Sequence, residues 1–288
     1  MKKYLKVLIC VVALVSLTAC SIKINIPKKT NDEATTKQGE TTLPLTVAVT
    51  FPEGFTVMQI AERLEENKVC SKNAFLELCK RPLEGFNLPN VSDRIFPAEG
   101  YLFPDTYEFY TNTTPEQVFQ KFIENYKSKI TPELEQKAKQ LGYTMDEMLT
   151  LASMIQKECD EDIEECATVS SVFHNRLKQS AYFPFLGSDV TSFYITKTMG
   201  EYLGYQEDVK LKNQNADVQK YMGLYSTYYC KGLPVGPICN PGMKAITAAL
   251  NPADTDYLYF LTDPSGKTFY YAKTESEHNA NGRKAGLF

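Results

Sequence analysis

The chain has 288 residues, a formal net charge of −4, 43% hydrophobic and 23% charged residues. That composition excludes a disordered or fibrous chain and suits one large globular domain, or a small one followed by a larger one. No basic run occurs beyond the first residues, which excludes nucleic acid as a partner and leaves only mild repulsion from an anionic polymer.

The N-terminus reads as a targeting segment. Lys2, Lys3 and Lys6 precede an apolar run from Val7 to Ala19, and Leu17, Thr18, Ala19 and Cys20 have the small-residue-then-Cys pattern of a bacterial lipobox. This predicts a signal peptide over residues 1–20, with the Cys20 thiol as the nucleophile that takes a diacylglyceryl group. An uncleaved transmembrane helix is the alternative, but the run falls short of the ~20 residues that cross a hydrocarbon core. Lipidation plus N-acylation supplies more than one chain, enough for a stable anchor on the extracytoplasmic face of the cell membrane. Residues 21–44 are rich in Lys, Thr, Glu and Gln and read as a solvated, flexible tether.

Leu45 to Val49 alternate in strand fashion, and Pro52, Glu53 and Gly54 make a turn. Thr56, a natural N-cap, opens an amphipathic helix to Lys68 with Val57, Ile60, Ala61 and Leu64 on one stripe. A second helix spans Lys72 to Cys79, with Phe75 and Leu78 inward. Strand, helix, helix over residues 45–90 looks like a LysM-type unit, a fold used to bind glycan. The alternative is an entry lobe of the main domain, residues 91–288. Glu99 to Tyr110 ("EGYLFPDTYEFY") is an aromatic strand or loop with a Pro-Asp turn. Glu99 and Asp105 there are candidate second acids or sugar hydrogen-bonders, and Asp105 is equally placed to cap its own turn.

Thr114 or Pro115 opens a helix carrying Val118, Phe119, Phe122, Ile123 and Tyr126, and Pro132 opens another that Gly142 stops. Thr144 and Glu147 form a capping box ahead of a helix to Glu158. A further helix covers Cys166 to Leu177. Tyr257 to Thr262 and Thr268 to Ala272 form a hairpin around Pro264, Ser265 and Gly266. Helices first and strands later predict an α+β fold.

Six cysteines beyond Cys10 and Cys20 fall as close couples: Cys70 with Cys79, Cys159 with Cys166, Cys230 with Cys239. Outside the cytoplasm such couples suggest local disulfides, with free buried thiols as the alternative. None has the short spacer of zinc ligands.

Only two histidines occur, His174 and His278, and neither has metal-ligand spacing. With no G-x-S-x-G elbow and no phosphate-cradling loop, carboxylate chemistry remains. On a helical wheel Glu158 points between Leu151 and Met154, on the apolar sector, while Lys157 points away. Partial desolvation there raises a carboxyl's proton affinity, as a general acid near neutral pH requires. The alternative is a glutamate that merely ends its helix, a poor place for an anion. The many tyrosines (18, with no Trp) suit sugar stacking as well as any core.

The strings "AEGYLFPDTYEF", "LASMIQKE", "VFHNRL", "LGSDVT", "YSTYYCKGLPVGPICNPG", "AALNPADTDYLYFLTD" and "HNANGR" resemble, in order, those of the endolytic murein transglycosylases of the MltG (YceG-like) family. "VTFPEGFTVMQIAERLEENKV" is similar to the family's LysM-like region. The resemblance implies cleavage of the MurNAc–GlcNAc β-1,4 bond within glycan strands to give 1,6-anhydroMurNAc ends, without metal or cofactor. It implies Glu158 as the catalytic acid. The family motif has two glutamates flanking a lysine, whereas this chain has Gln156, Lys157 and Glu158, so Gln156 departs from the pattern. Tyr225 to Tyr228, including Thr227, and Gly232 to Gly242 are implied cleft walls. Tyr107, Tyr228, Asn175, Ser188, Asp189 and Asn240 are implied sugar contacts or supports for Glu158, and His278 with Asn279 matches a motif of open role. Peptidoglycan strands and cell-wall synthases are the implied partners. The alternatives are a non-catalytic glycan-binding scaffold lipoprotein and a hydrolase leaving reducing ends.

Overall fold

The first strand, Thr46–Thr50 (β1), pairs antiparallel with Thr106–Tyr110 (β2), setting Val47 opposite Phe109 and Val49 opposite Tyr107. The computed structural model describes residues 45–86, 88–159 and 162–287. The lipobox with Cys20 and the segment 21–44 lie outside the described residues. Between the two strands run helices Val57–Glu66 (α1) and Lys72–Cys79 (α2). The strand–helix–helix segment therefore closes on a strand beyond residue 90, and its residues belong to one compact unit with the rest, Leu43–Phe288.

Capping sets the helix starts. Thr56 with Gln59, Thr114 with Gln117, Thr144 with Glu147 and Thr274 with Glu277 form capping boxes. They open α1, Pro115–Lys129 (α3), Met145–Glu158 (α5) and, near the C-terminus, Glu275–Lys284 (α11). Each box satisfies backbone N–H groups that the first turn leaves without partners. Pro132–Gln140 (α4) lies between α3 and α5. Asp162 caps Ile163–Lys178 (α6), so this helix starts one turn before the expected Cys166.

Helix α5 is central. From Met148 to Gln156 every residue is buried, which is the signature of a helix covered on all sides. Helix α6 packs along it, and Met243–Leu250 (α10) packs on both. Its polar residues are paired. Asp146 accepts a forked pair of bonds from Arg94 (2.9 and 2.5 Å) and one from the Tyr101 hydroxyl (2.7 Å). The Ser153 hydroxyl accepts from Ile238 N–H, which lays the loop before α10 against α5. In that loop Gly236 is required by contact, because a Cβ there would lie 2.9 Å from Arg94 Nε.

The remaining elements are the 3-10 turns Val91–Asp93 and Leu211–Asn213, Asp189–Phe193 (α7), a π-helical turn Tyr194–Thr198, Gly200–Leu203 (α8), Ala216–Tyr225 (α9), and the hairpin Tyr259–Thr262 (β3) with Phe269–Ala272 (β4). The architecture is α+β, largely helical with two short antiparallel sheets.

The cysteine couples divide. Cys159 and Cys166 form a disulfide joining the C-cap of α5 to the first turn of α6. Cys70 and Cys79, Cys230 and Cys239 are free thiols, which corrects the expectation of three local disulfides. Cys239 is buried with its sulfur on the Ser153 carbonyl, whereas Cys230 lines a separate surface pocket with Leu177 and Leu233. Cys79 lies inside the core at the end of α2, where burial pushes its thiol far above the usual range.

Candidate active site

Glu158 is the last residue of α5 and lines a cleft of about 610 Å³. The opposite walls come from α6 (Arg176), the start of α7 (Asp189), the loop at Tyr228 and the β3–β4 hairpin (Phe260, Asp263), with His278 of α11 beside them. The local sequence explains the placement. Ile155 and Met154 fill the core, and the helix stops at Cys159, whose extended backbone and disulfide turn the chain away. After the buried run Lys157 faces outward, and Glu158, on the last turn, is left partly covered at the edge.

The Ser188 hydroxyl donates to Glu158 Oε1 at 2.6 Å. Glu158 Oε2 carries no hydrogen bond among the described residues, so it is the oxygen available to a bound molecule. Ser188 is itself locked: its N–H donates to Thr227 Oγ1 (2.8 Å), and the Thr191 hydroxyl donates to its carbonyl (2.6 Å). Burial first raises the proton affinity of Glu158; Ser188 opposes this, Asp189 reinforces it and Arg176 opposes it, with a net upward shift. A carboxyl whose neutral form is favoured in a cleft is equipped for general acid work. Across the cleft the exposed ring of Tyr228 is fixed by its hydroxyl, which donates to Asp189 Oδ1 at 2.8 Å. Among the described residues no group of His, Cys, Asp and Glu is placed to hold a metal ion.

Of the residues singled out in the sequence, the structure brings together Glu158, Ser188, Asp189 and Tyr228, with Thr227 behind them. His278 is at the cleft as well, and the others lie elsewhere. Glu99 is 1% exposed and spends its carboxyl on Val57 N–H (3.0 Å), Tyr194 hydroxyl (3.2 Å) and Asn240 Nδ2 (2.8 Å), so it fastens α1 to the interior and reaches no substrate. Asn240, fully buried, also accepts from the Gly100 and Leu102 N–H groups (both 2.9 Å). Tyr225 is buried and accepts from Ile95 N–H. Tyr107 is core, with its hydroxyl on the Phe103 carbonyl. Asp105 caps its own turn through Thr106 N–H and takes Asn125 and Lys129 of α3. Asn175 donates to the Thr255 and Tyr257 carbonyls and so holds the chain leading into β3.

Gln156 has a position of its own. It is 8% exposed, and its Oε1 accepts from Gly242 N–H (2.9 Å) at the N-cap of α10. Its side chain also packs by Gly54, and it is not among the cleft-lining residues. Sequence reasoning missed Arg176; its only signal was its place in "VFHNRL".

The fold and site define an α+β protein with a cleft in which a partly buried glutamate, Glu158, is held by Ser188. Residues 24–284 match the model of the YceG-like family, and the chain belongs to that family. It is 29% identical over 255 residues to the endolytic murein transglycosylase of Streptococcus pneumoniae serotype 2 strain D39, covering 83% of this chain and 44% of that protein. It is 31% identical over 250 residues to the protein of the same name from Bacillus subtilis strain 168, covering 80% and 63%. A crystal structure of a putative YceG-like protein from Listeria monocytogenes is similar with a TM-score of 0.66 and 28% identity, over 81% of this chain and 75% of that one. The chain thus spans about half the length of the streptococcal relative and less than two-thirds of the Bacillus one.

Proposed function

We propose that this protein is an endolytic lytic transglycosylase acting on peptidoglycan, with Glu158 as its acid and base. The observation that carries the reading is the Glu158 carboxyl: on a cleft wall, with one oxygen held by Ser188 and the other open, and with its neutral form favoured by burial. The printed names of the relatives support the substrate class.

In this reading the neutral Glu158 gives its proton to the glycosidic oxygen as the MurNAc C1–O bond breaks, and the GlcNAc 4-hydroxyl leaves. The resulting carboxylate takes the proton of the MurNAc C6 hydroxyl while O6 bonds to C1, closing the 1,6-anhydro ring and restoring the acid. No water is consumed, and one carboxyl suffices because the nucleophile belongs to the substrate, unlike the two-carboxylate hydrolases. The intramolecular attack has a large effective molarity. The Ser188 bond leaves Oε2 to carry the transferred proton. Tyr228 offers a fixed ring face for a pyranose, and Asp189 holds that ring. Residues 45–90 are the proposed LysM-like glycan-holding lobe, and Cys20 is the proposed lipid anchor on the extracytoplasmic membrane face. Cell-wall synthases are the proposed protein partners.

A non-catalytic glycan-binding scaffold is the second reading, prompted by Gln156. The bond from Gly242 N–H gives Gln156 a structural duty outside the cleft, which favours the enzyme. Incubating the purified protein with uncrosslinked glycan strands distinguishes the two. Anhydro-ended products are expected, and binding without such products would sink the enzyme reading.

A further inference from the structure

Arg176 lines the same cleft as Glu158 and has no part in the chemistry above. Its guanidinium is fixed. Nε donates to the Leu258 carbonyl at 2.6 Å, and one terminal nitrogen donates to the Leu186 carbonyl. The group also lies over the rings of Tyr259 (5.4 Å) and Phe183 (5.9 Å). A guanidinium with its fork already engaged by two carbonyls and covered by two rings offers a stationary charge rather than a mobile clamp. Asp189 is the counterpart of opposite sign, held by the Tyr228 hydroxyl. The bond that Glu158 itself accepts comes from Ser188.

We propose that Arg176 is a positioning residue: the fixed cation against which Glu158 releases and regains its proton in each turnover, opposed by Asp189 as a fixed anion. The inference rests on Glu158 being the acid and base. A single carboxyl that must first give a proton and then take one works best when neither form is overwhelmingly favoured. Burial and Asp189 favour the neutral form, while Ser188 and Arg176 favour the ionised one. The other charged or titratable groups around the cleft are engaged otherwise. Lys157 reaches toward Gly54. Asp263 is occupied by its own turn through Ser265, Lys267 and Thr268. The Tyr228 hydroxyl is on Asp189, and burial followed by Arg176 keeps His278 toward its neutral form.

The test is the pH profile of kcat/KM on uncrosslinked glycan strands for the wild type, Arg176→Gln, Arg176→Lys and Asp189→Asn, with Glu158→Gln as the blank. The protonated acid is the active form, so activity falls as pH rises through the Glu158 proton affinity. Removing the cation in Arg176→Gln moves that alkaline limb to higher pH. Removing the anion in Asp189→Asn moves it to lower pH. Arg176→Lys keeps the charge and the wild-type limb, at a lower kcat because an ammonium cannot span both carbonyls. Equal rate losses in both Arg176 variants with an unmoved limb overturn the proposal, as that is what a merely structural arginine would give. If Arg176→Gln does not fold, Asp189→Asn decides: a downward limb supports the proposal and an unmoved one overturns it. Wild-type turnover in Glu158→Gln refutes the enzyme assignment of Glu158 itself, a separate outcome.

Discussion

At Gln156 the resemblance implies a glutamate, and the structure turns that difference into a measurable prediction. Its carboxamide oxygen is the acceptor for Gly242 N–H, the N-cap amide of α10. In Gln156→Leu that amide is left buried without a partner, at a cost of about 1–3 kcal/mol. In Gln156→Glu the acceptor is kept. An anion at a helix N-terminus gains roughly 0.3–1 kcal/mol, offset by its desolvation and by the nearby Glu53 carboxylate. The net change for Gln156→Glu is about 1 kcal/mol or less in either direction. Residues two apart on a helix do not face each other, so neither variant reaches the Glu158 carboxyl directly. Urea titrations give the stabilities and initial rates on glycan strands give the activities, measured where both variants are folded. The expected kcat/KM lies within about threefold of wild type for each, since ~0.6 kcal/mol is a threefold effect. A gain of tenfold or more in Gln156→Glu would show that the first motif position takes part in the chemistry, and the structural reasoning would be wrong.

Other expectations follow from the same geometry. Asn240→Ala removes the partner of four buried groups, the Gly100 and Leu102 amides, the Phe55 carbonyl and the Glu99 carboxyl. A loss of at least about 3 kcal/mol is predicted in urea unfolding, and a loss below 1 kcal/mol contradicts the account. Burial raises the Glu99 carboxyl from 4.5 to about 8 in the folded protein, against the bonds from Val57, Tyr194 and Asn240 and the charge of Lys157. The folded state therefore keeps a proton that the unfolded state loses. The contribution is fully present below about pH 4.5 and fades as pH rises toward 8, by on the order of 4 kcal/mol. Glu99→Gln mimics the protonated form, so its stability should lack that decline; identical pH dependence in both proteins counts against the assignment. Alkylation without reductant should label Cys70, Cys79, Cys230 and Cys239 on unfolding, and Cys159 and Cys166 only after reduction. Replacing Cys159 and Cys166 by serine opens a short loop and should cost roughly 2–3 kcal/mol.

Much of the fold was legible because its signals are local. The box at Thr144, the helix start at Thr114 or Pro115, the stripe Val57, Ile60, Ala61, Leu64, and the turn at Pro264 to Gly266 state their elements within a few residues. The site was only partly legible. Glu158 could be placed on a wheel, because its neighbours Leu151 and Met154 declare the buried face. Glu99 and Asn240 could not be separated from cleft residues, since polar side chains bonded across 141 positions leave no periodic trace. The same holds for the pairing of β1 with β2, whose strands lie far apart in the chain. Arg176 shows nothing in the sequence beyond its place in "VFHNRL"; only the fold brings the Leu186 and Leu258 carbonyls to its guanidinium. The cysteine couples were misleading for a related reason. Closeness in sequence unites Cys230 with Cys239, but the intervening turns send one into a surface pocket and the other onto Ser153.

The central claim is that the Glu158 carboxyl breaks the glycosidic bond by passing its proton out and taking one back without water. The most direct measurement is mass spectrometry of the products from uncrosslinked glycan strands treated with wild type and with Glu158→Gln, both verified as folded. The account predicts fragments one water lighter than hydrolysis products from the wild type and none above background from the variant. Anhydro products at near-wild-type rate from Glu158→Gln, or reducing-end products from the wild type, would contradict it.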